Sequence, residues 1–453
     1  MGKQIRVTAF DMNTPTHLSP GTWRHPDSQG RRYKDLKYWT DLARTLERGL
    51  FDGLFIADVL GTYDVYAGTH DAALRGGAQI PVNDPMMAVS AIAHVTEHLG
   101  IAVTASTSYE HPYPFARRMS TLDHLTGGRV AWNVVTSYLD SAARNMGLDR
   151  QIGHDERYDI ADEYLEVVYK LWEGSWEDDA VRADDIYADP ARIHPIGHDG
   201  RYFKVPGIHL CEPSPQRTPF LFQAGTSHRG KDFAARHAEA VFAVAPEASM
   251  LRKQVDDIRA RAAAAGRDPY DIKVFSGCTV ITGETDAEAT AKYDVYKSYI
   301  DSDGMLALFS GWLGFDLSPY RPEDPVHVVP NHAVRSIAES LGQGDWTVRD
   351  ILEKLGIGHP PVIVGSPAKV ADGIQQWIEE TGADGLNLGH VVTPSTYEDF
   401  ADLIVPELQR RGAYKKQYAD GTLRHKFLGR GDRLATGHPG TRYTPAASTR
   451  ETT

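Results

Sequence analysis

Along this chain, short apolar runs alternate with stretches of helical spacing, and the alternation continues almost from end to end. Residues 5–10, 53–57, 101–107 and 129–136 read as buried strands, bounded by Gly, Pro, Asp and Ser. Between and after them, apolar positions recur every three or four residues over 38–50, 85–99, 114–125 and 155–172, which predicts helices. Asp84 and Pro85 suit a helix start, and Gly127 with Gly128 suits a helix end. Residues 220–247, FLFQAGTSHRGKDFAARHAEAVFAVAPE, compress the whole pattern into strand, loop, helix and strand. Further helices are predicted over 250–265, 286–300, 368–380 and 395–411, and further strands over 272–281, 361–364 and 385–388.

About eight strand–helix units of this length predict a closed parallel (β/α)8 barrel, a TIM barrel, rather than an open sheet. Two stretches without clean periodicity, at about 173–218 and 301–359, read as large insertions, the second as a lid over the barrel mouth. The expected organisation is one domain over 1–415 with these insertions, followed by an extended C-terminal arm over 416–453.

Bulk composition narrows the function classes. A net charge of −13 argues against nucleic-acid and anionic-membrane partners. Two cysteines, Cys211 and Cys278, are too few for a thiolate metal cluster or a disulfide framework. MGKQIRVTAF carries no signal-peptide pattern and no window is apolar enough to span a bilayer, so the expected location is cytoplasmic.

Some motifs tempt. Gly225-x4-Gly230-Lys231 approaches a Walker A loop, but Asp232 stands where a Mg2+-ligating hydroxyl is needed. A loop of Gly225, Thr226, Ser227 and Gly230 opening a helix still makes a phosphate seat, because free backbone N–H groups and the helix dipole converge there. His94-x-x-Glu97-His98 matches a zinc-peptidase pattern, but on a helix facing away from the barrel mouth; no metal is expected. No G-x-G-x-x-G joins a strand to a helix, so no built-in dinucleotide fold is expected.

Chemistry in such a barrel sits at the C-terminal strand ends. That rule selects Asp11, Asn13 and His17 after strand one, Asp58 after strand two, and Thr104, Ser106 and Tyr109 at strand three. It adds Asn133, Thr136 and Ser137 at strand four, His154 and Tyr158 one helical turn apart, and Gln223 with the Gly225–Ser227 loop. Neutral hydrogen-bonding groups and aromatics dominate this rim, which suits a flat polar heterocycle with a phosphate tail.

The blocks FDGLFIADVLGTYDVY, VTEHLGIAVTASTSYEHPYPFARRMSTLDHLTGGRVAWNVVTS, HDERYDIADEYLEVVYKLWEGSW and EPSPQRTPFLFQAGTSHRG resemble the bacterial-luciferase-like flavin monooxygenases. Within that family they are similar to the group that oxidises nitrilotriacetate, EDTA, dibenzothiophene sulfone and dimethyl sulfide. The resemblance implies a TIM barrel with insertions, FMN bound as FMNH2, O2 as co-substrate, and a separate NAD(P)H:FMN reductase. It places flavin contacts on Asp58, Thr104, Ser106, His154, Tyr158 and Ser227, with Asn133 on the matching strand-four motif GGRVAWNVV. Ser227 is assigned to the phosphate. His17 is the candidate proton-handling residue, since a neutral imidazole both donates and accepts near neutral pH. Phe10, Trp23, Phe242 and Trp312 are expected to wall an apolar substrate pocket. Around Ser310–Gly314 the chain departs from sulfone-oxidising members, which favours a small apolar or organosulfur substrate over a sulfone. A halogenated aromatic substrate, a deazaflavin-dependent dehydrogenase and a non-catalytic flavin-binding protein are the competing readings. A homodimer or homotetramer is expected.

Overall fold

Parallel pairing closes eight strands into one ring: β1 Arg6–Met12, β2 Gly53–Ala57, β3 Gly100–Ser106, β4 Val130–Val135, β5 Phe220–Gln223, β6 Ala240–Ala243, β7 Lys273–Thr282 and β8 Gly385–Gly389. β8 returns to β1, with Arg6 opposite Gly385 and Phe10 opposite Gly389. The computed structural model describes residues 4–183, 185–225, 227–326 and 346–445. Helices including Leu36–Arg48, Pro112–Leu125, His154–Tyr169 and His228–His237 alternate with the strands, as the periodicity predicts.

Strand alternation sorts the side chains. Val7, Leu54, Ile56, Ile101 and Val103 pack in the main apolar cluster with helix residues such as Leu42, Leu46, Ile92 and Met119. The other face fills the barrel, and the filling is lopsided. Phe10, Phe55, Phe220, Phe222, Phe242 and Phe275 come from β1, β2 and β5–β7, whereas β3 and β4 contribute Ala102 and Ala131, directly paired. Bulk on one flank and small residues on the other leave space above β3 and β4.

Several expectations need correction. The helix predicted over 85–99 stops at His94. Glu47 intervenes: its Oε1 accepts from the backbone N–H groups of Glu97, His98 and Leu99 at 2.9, 2.6 and 3.0 Å. These amides are thereby satisfied outside a helix. The run near 361–364 forms strand Val362–Gly365, but it lies beside the upper half of β7 and outside the ring.

The tail is not an extended arm as far as Pro445. Helix Leu423–Leu428 folds back under the barrel, with Leu423 and Phe427 inserted among the lumen phenylalanines. Arg424, wholly buried, pairs with Glu239 through Nε–Oε1 at 2.6 Å and Nη2–Oε2 at 2.9 Å. It also donates to the Gln216 and Thr218 carbonyls at 3.3 and 2.8 Å. An open barrel floor is a hole that apolar side chains fill, and that burial orders the tail. Residues 446–453 lie outside the described residues.

Candidate active site

At the C-terminal strand ends the lumen opens into a cavity of about 390 Å3. Of the predicted site residues, His17, Asp58, Thr104, Ser106, Asn133, His154, Tyr158, Ser227, Phe10, Phe242 and Trp312 all line it. Trp23 does not. Its indole Nε1 donates to the Gly76 carbonyl at 3.1 Å, and its ring lies where a side chain on Gly77 would stand. It therefore fastens the loop after β1 to helix Asp71–Gly76 instead of walling the pocket.

The polar flank stands on β3 and β4. Asn133 Nδ2 donates to Thr104 Oγ1 at 3.0 Å, and Ser137 Oγ donates to Ser106 Oγ at 2.8 Å. Ser137 holds a left-handed φ of 57°, an uncommon conformation for a non-glycine residue. Burial pushes the Asp58 carboxyl up to about 7, against the Val59 amide, with the Asp84 charge adding to the rise.

Two helix N-termini converge at one end of the cavity. His154, Arg157 and Tyr158 open helix His154–Tyr169, and Ser227 caps helix His228–His237, its Oγ accepting from Gly230 N at 3.0 Å. A Cβ on Gly225 would stand 2.6 Å from the Tyr158 hydroxyl, and one on Gly230 would stand 2.7 Å from it. Only glycine allows this approach. Lys231, the Walker-like lysine, instead pairs with Asp257 at 2.9 Å. Thr226 lies outside the described residues.

The apolar flank carries Phe10 and Phe242, ring centroids 5.0 Å apart, with His359 stacked on Phe10 at 5.5 Å. His17 meets the Phe10 ring edge-on at 4.4 Å. Burial, reinforced by His390 and His359, holds the His17 imidazole well below its ordinary range, so it is neutral at physiological pH.

Between the flanks runs a hydrogen-bonded chain that joins the second insertion to His17. Trp312 Nε1 donates to Tyr63 OH at 3.3 Å, and Tyr63 OH meets Gln79 Oε1 at 2.7 Å and Tyr138 OH at 2.8 Å. Gln79 Nε2 then donates to the His17 carbonyl at 2.9 Å. Phe309, Trp312, Trp346, Leu355 and His359 make the second insertion a wall of the cavity; its residues 327–345 lie outside the described residues. Sequence reasoning missed Tyr63, Gln79, Tyr138, Arg157 and His359. Tyr138 and Arg157 are each one residue from groups that the strand-end rule selected, Ser137 and Tyr158; the other three come from loops that no periodicity marks.

The donor set suits a flat heterocycle with an anionic tail. Asn133 Oδ1, Gln223 Oε1 and His17 Nδ1 are buried without a hydrogen-bond partner among the described residues, in a wall where such atoms are normally satisfied. The glycine cradle and two helix dipoles stand ready for a phosphate. No group of three or more metal-ligating side chains occurs among the described residues, and no helix there is long and apolar enough to cross a membrane.

Residues 9–385 match the sequence profile described as luciferase-like monooxygenase. The dimethyl-sulfide monooxygenase of Hyphomicrobium sulfonivorans is 54% identical, over 98% of this chain and 95% of its own length. A long-chain alkane monooxygenase from Geobacillus thermodenitrificans is 52% identical over 98% of both chains. The crystal structure of DmoA from Hyphomicrobium sulfonivorans superposes with a TM-score of 0.92, covering 98% of this chain and 96% of that one.

Proposed function

This chain belongs to the luciferase-like monooxygenases, and from that membership we propose an FMNH2- and O2-dependent enzyme that oxygenates a small apolar organosulfur compound. Reduced flavin and O2 are the co-substrates of the family. FMN in particular, and its supply by a separate NAD(P)H:FMN reductase, belong to this proposal, as does assembly into a homodimer or homotetramer.

Thr104, Ser106 and Asn133 would hold the polar edge of the isoalloxazine, with Asp58 beside them. Ser227, Tyr158 and His154 would hold the phosphate at the paired helix N-termini. When bound, reduced FMN supplies two electrons to O2, one oxygen atom passing to the substrate and the other to water. The chain's own tasks are placement, exclusion of water and proton handling. Phe10, Phe242 and Trp312 present an apolar surface to the substrate. Neutral His17, at the edge of that surface, holds or passes a proton through a ring nitrogen.

The observation that carries this reading is the two-sided cavity: hydrogen-bonding β3 and β4 on one flank, phenyl rings on the other, an anion cradle at the end. Gly311 makes room for the Tyr63 ring beside the cavity. A Cβ there would stand 2.3 Å from the Tyr63 ring, so a side chain at this position would displace Tyr63. The polar atoms of Tyr63 and Trp312 are spent on one another and on Gln79 and Tyr138, and the phenyl rings of Phe10 and Phe242 opposite favour an apolar sulfide over a sulfone.

The test is O2 consumption with FMNH2, a flavin reductase and a panel of dialkyl sulfides, alkanes, halogenated aromatics and sulfones. Turnover of a small sulfide is expected; no flavin-dependent turnover across the panel overturns the proposal. In parallel, Ser227→Asp is expected to weaken FMNH2 binding by about tenfold or more through like-charge repulsion. An unchanged dissociation constant removes Ser227 from the site.

A further inference from the structure

Behind His17 lies a buried cluster that the proposed chemistry has not used. Asp11 and His390 follow one another across the β1–β8 seam, each almost fully buried, with Asp11 Oδ1 3.0 Å from His390 Nε2. The Met12 amide also donates to Asp11 Oδ1, at 2.8 Å. The His390 ring centroid is 6.3 Å from that of His17. That separation is too long for a direct hydrogen bond and suits one bridging water. Each of these imidazoles has a buried Nδ1 without a hydrogen-bond partner among the described residues. His17 in turn lines the cavity.

We propose that Asp11 and His390 are positioning residues that store a proton behind His17 and deliver it toward the cavity. The proposal rests on the oxygenase reading above, which calls for a proton source shielded from bulk water.

In the loaded state the Asp11 carboxyl donates to His390 Nε2, and His390 carries its hydrogen on Nδ1. On delivery, that Nδ1 hydrogen leaves toward His17 while Nε2 takes the carboxyl proton. Asp11 is left as a carboxylate accepting from Nε2–H. One proton moves, no bond to carbon changes, and solvent reloads the pair afterwards.

Among the described residues no Lys or Arg pairs with the Asp11 carboxyl. Tyr38 reaches it from helix Leu36–Arg48, Tyr397 from helix Ser395–Asp399 and His390 from the loop after β8, while His359 and His390 both face His17. Arg32 acts on Tyr38 rather than on Asp11. Burial pushes the Asp11 carboxyl up to about 7, and burial holds the His390 imidazole down at about 3. The store is therefore loaded below neutral pH and empties as pH rises through about 7.

Infrared titration of the ligand-free protein tests this without turnover. Wild type minus Asp11→Asn is expected to show a protonated-carboxyl band that disappears with a midpoint near pH 7. Asp58 is present in both proteins and cancels. In His390→Phe that midpoint moves. A carboxyl ionised throughout, or a midpoint unmoved in His390→Phe, overturns the proposal. In turnover, wild-type kcat is expected to fall as pH rises through the same midpoint. Asp11→Asn should lose that inflection, with kcat down about 100-fold and with KM and FMNH2 affinity kept. An inflection retained in Asp11→Asn also overturns it. If no substrate turns over at all, the oxygenase reading falls while the infrared result still decides the proton store. Should Asp11→Asn fail to fold, His390→Gln, which removes the relay nitrogen, gives both readouts.

Discussion

Gly225 shows how a single position shapes the cradle proposed for the cofactor phosphate. Its missing side chain lets Tyr158 and Gln223 crowd the loop, since a Cβ would stand 2.4 Å from Gln223 Nε2 and 2.6 Å from the Tyr158 hydroxyl. Gly225→Ala is expected to push the Tyr158 ring off the cradle and weaken FMNH2 binding by about tenfold to 100-fold. The thermal midpoint should change little, because the loop is at the rim and not in the core. Fluorescence titration under anaerobic conditions, alongside a melting curve, checks both. The flavin-side candidates were readable because each sits at a strand end or at the first turn of the helix that follows. Trp23 was misread for the converse reason: an aromatic in a polar loop looks like a pocket wall until Gly76 is seen to accept from it. Tyr63, Gln79 and His359 gave no signal. Tyr63 and Gln79 come from the long connection after β2 and His359 from the one after β7, and no local spacing encodes their arrival at one cavity.

Among the elements, the eight strands were legible from apolar runs, and the tail helix was not. Leu423–Leu428 offers only six residues with a short apolar stripe, too little to distinguish a plug from a solvent-exposed turn. Its burial is decided by the hole it fills. Phe427 packs at a tilt against Phe220 and Phe275, ring centroids 5.1 and 5.5 Å away, so Phe427→Ala should leave a cavity at the barrel floor. The expected loss is about 3–5 kcal/mol, read as a lowered denaturation midpoint. A loss within about 0.5 kcal/mol, the size of a surface substitution, would show that the helix is not packed there. The helix predicted over 85–99 failed on a similar point. Periodicity continued past His94, but Glu47, distant in sequence, offered the backbone a better set of acceptors.

For the whole molecule, the cavity is assembled from nearly every βα loop and from the second insertion, so a ligand there touches most of the fold. Binding to the native state alone stabilises it by RT ln(1 + [L]/Kd), about 2.7 kcal/mol at 100 times the dissociation constant. Saturating FMNH2 under anaerobic conditions is therefore expected to raise the midpoint of a single cooperative transition. Ser227→Asp, bound about tenfold more weakly, should show only about half that gain at the same concentration, about 1.4 kcal/mol. A shift equal in both proteins would place the ligand elsewhere. The closed barrel itself was foreseeable from strand and helix counts. The lopsided filling of its lumen was not, because which phenylalanines face inward depends on the register of each strand.

The floor plug has a bearing on how the chain is made. β1 cannot complete its pairing until β8 is synthesised, and Phe427 comes later still. At about 5–20 residues per second, the ribosome needs roughly 20 to 80 seconds to travel from Phe10 to Phe427. Throughout that interval the phenyl-lined interior is open at its base, a sticky surface on an unfinished protein. A message truncated shortly before Leu423 would leave that exposure permanent, and such a product belongs to chaperones and proteases.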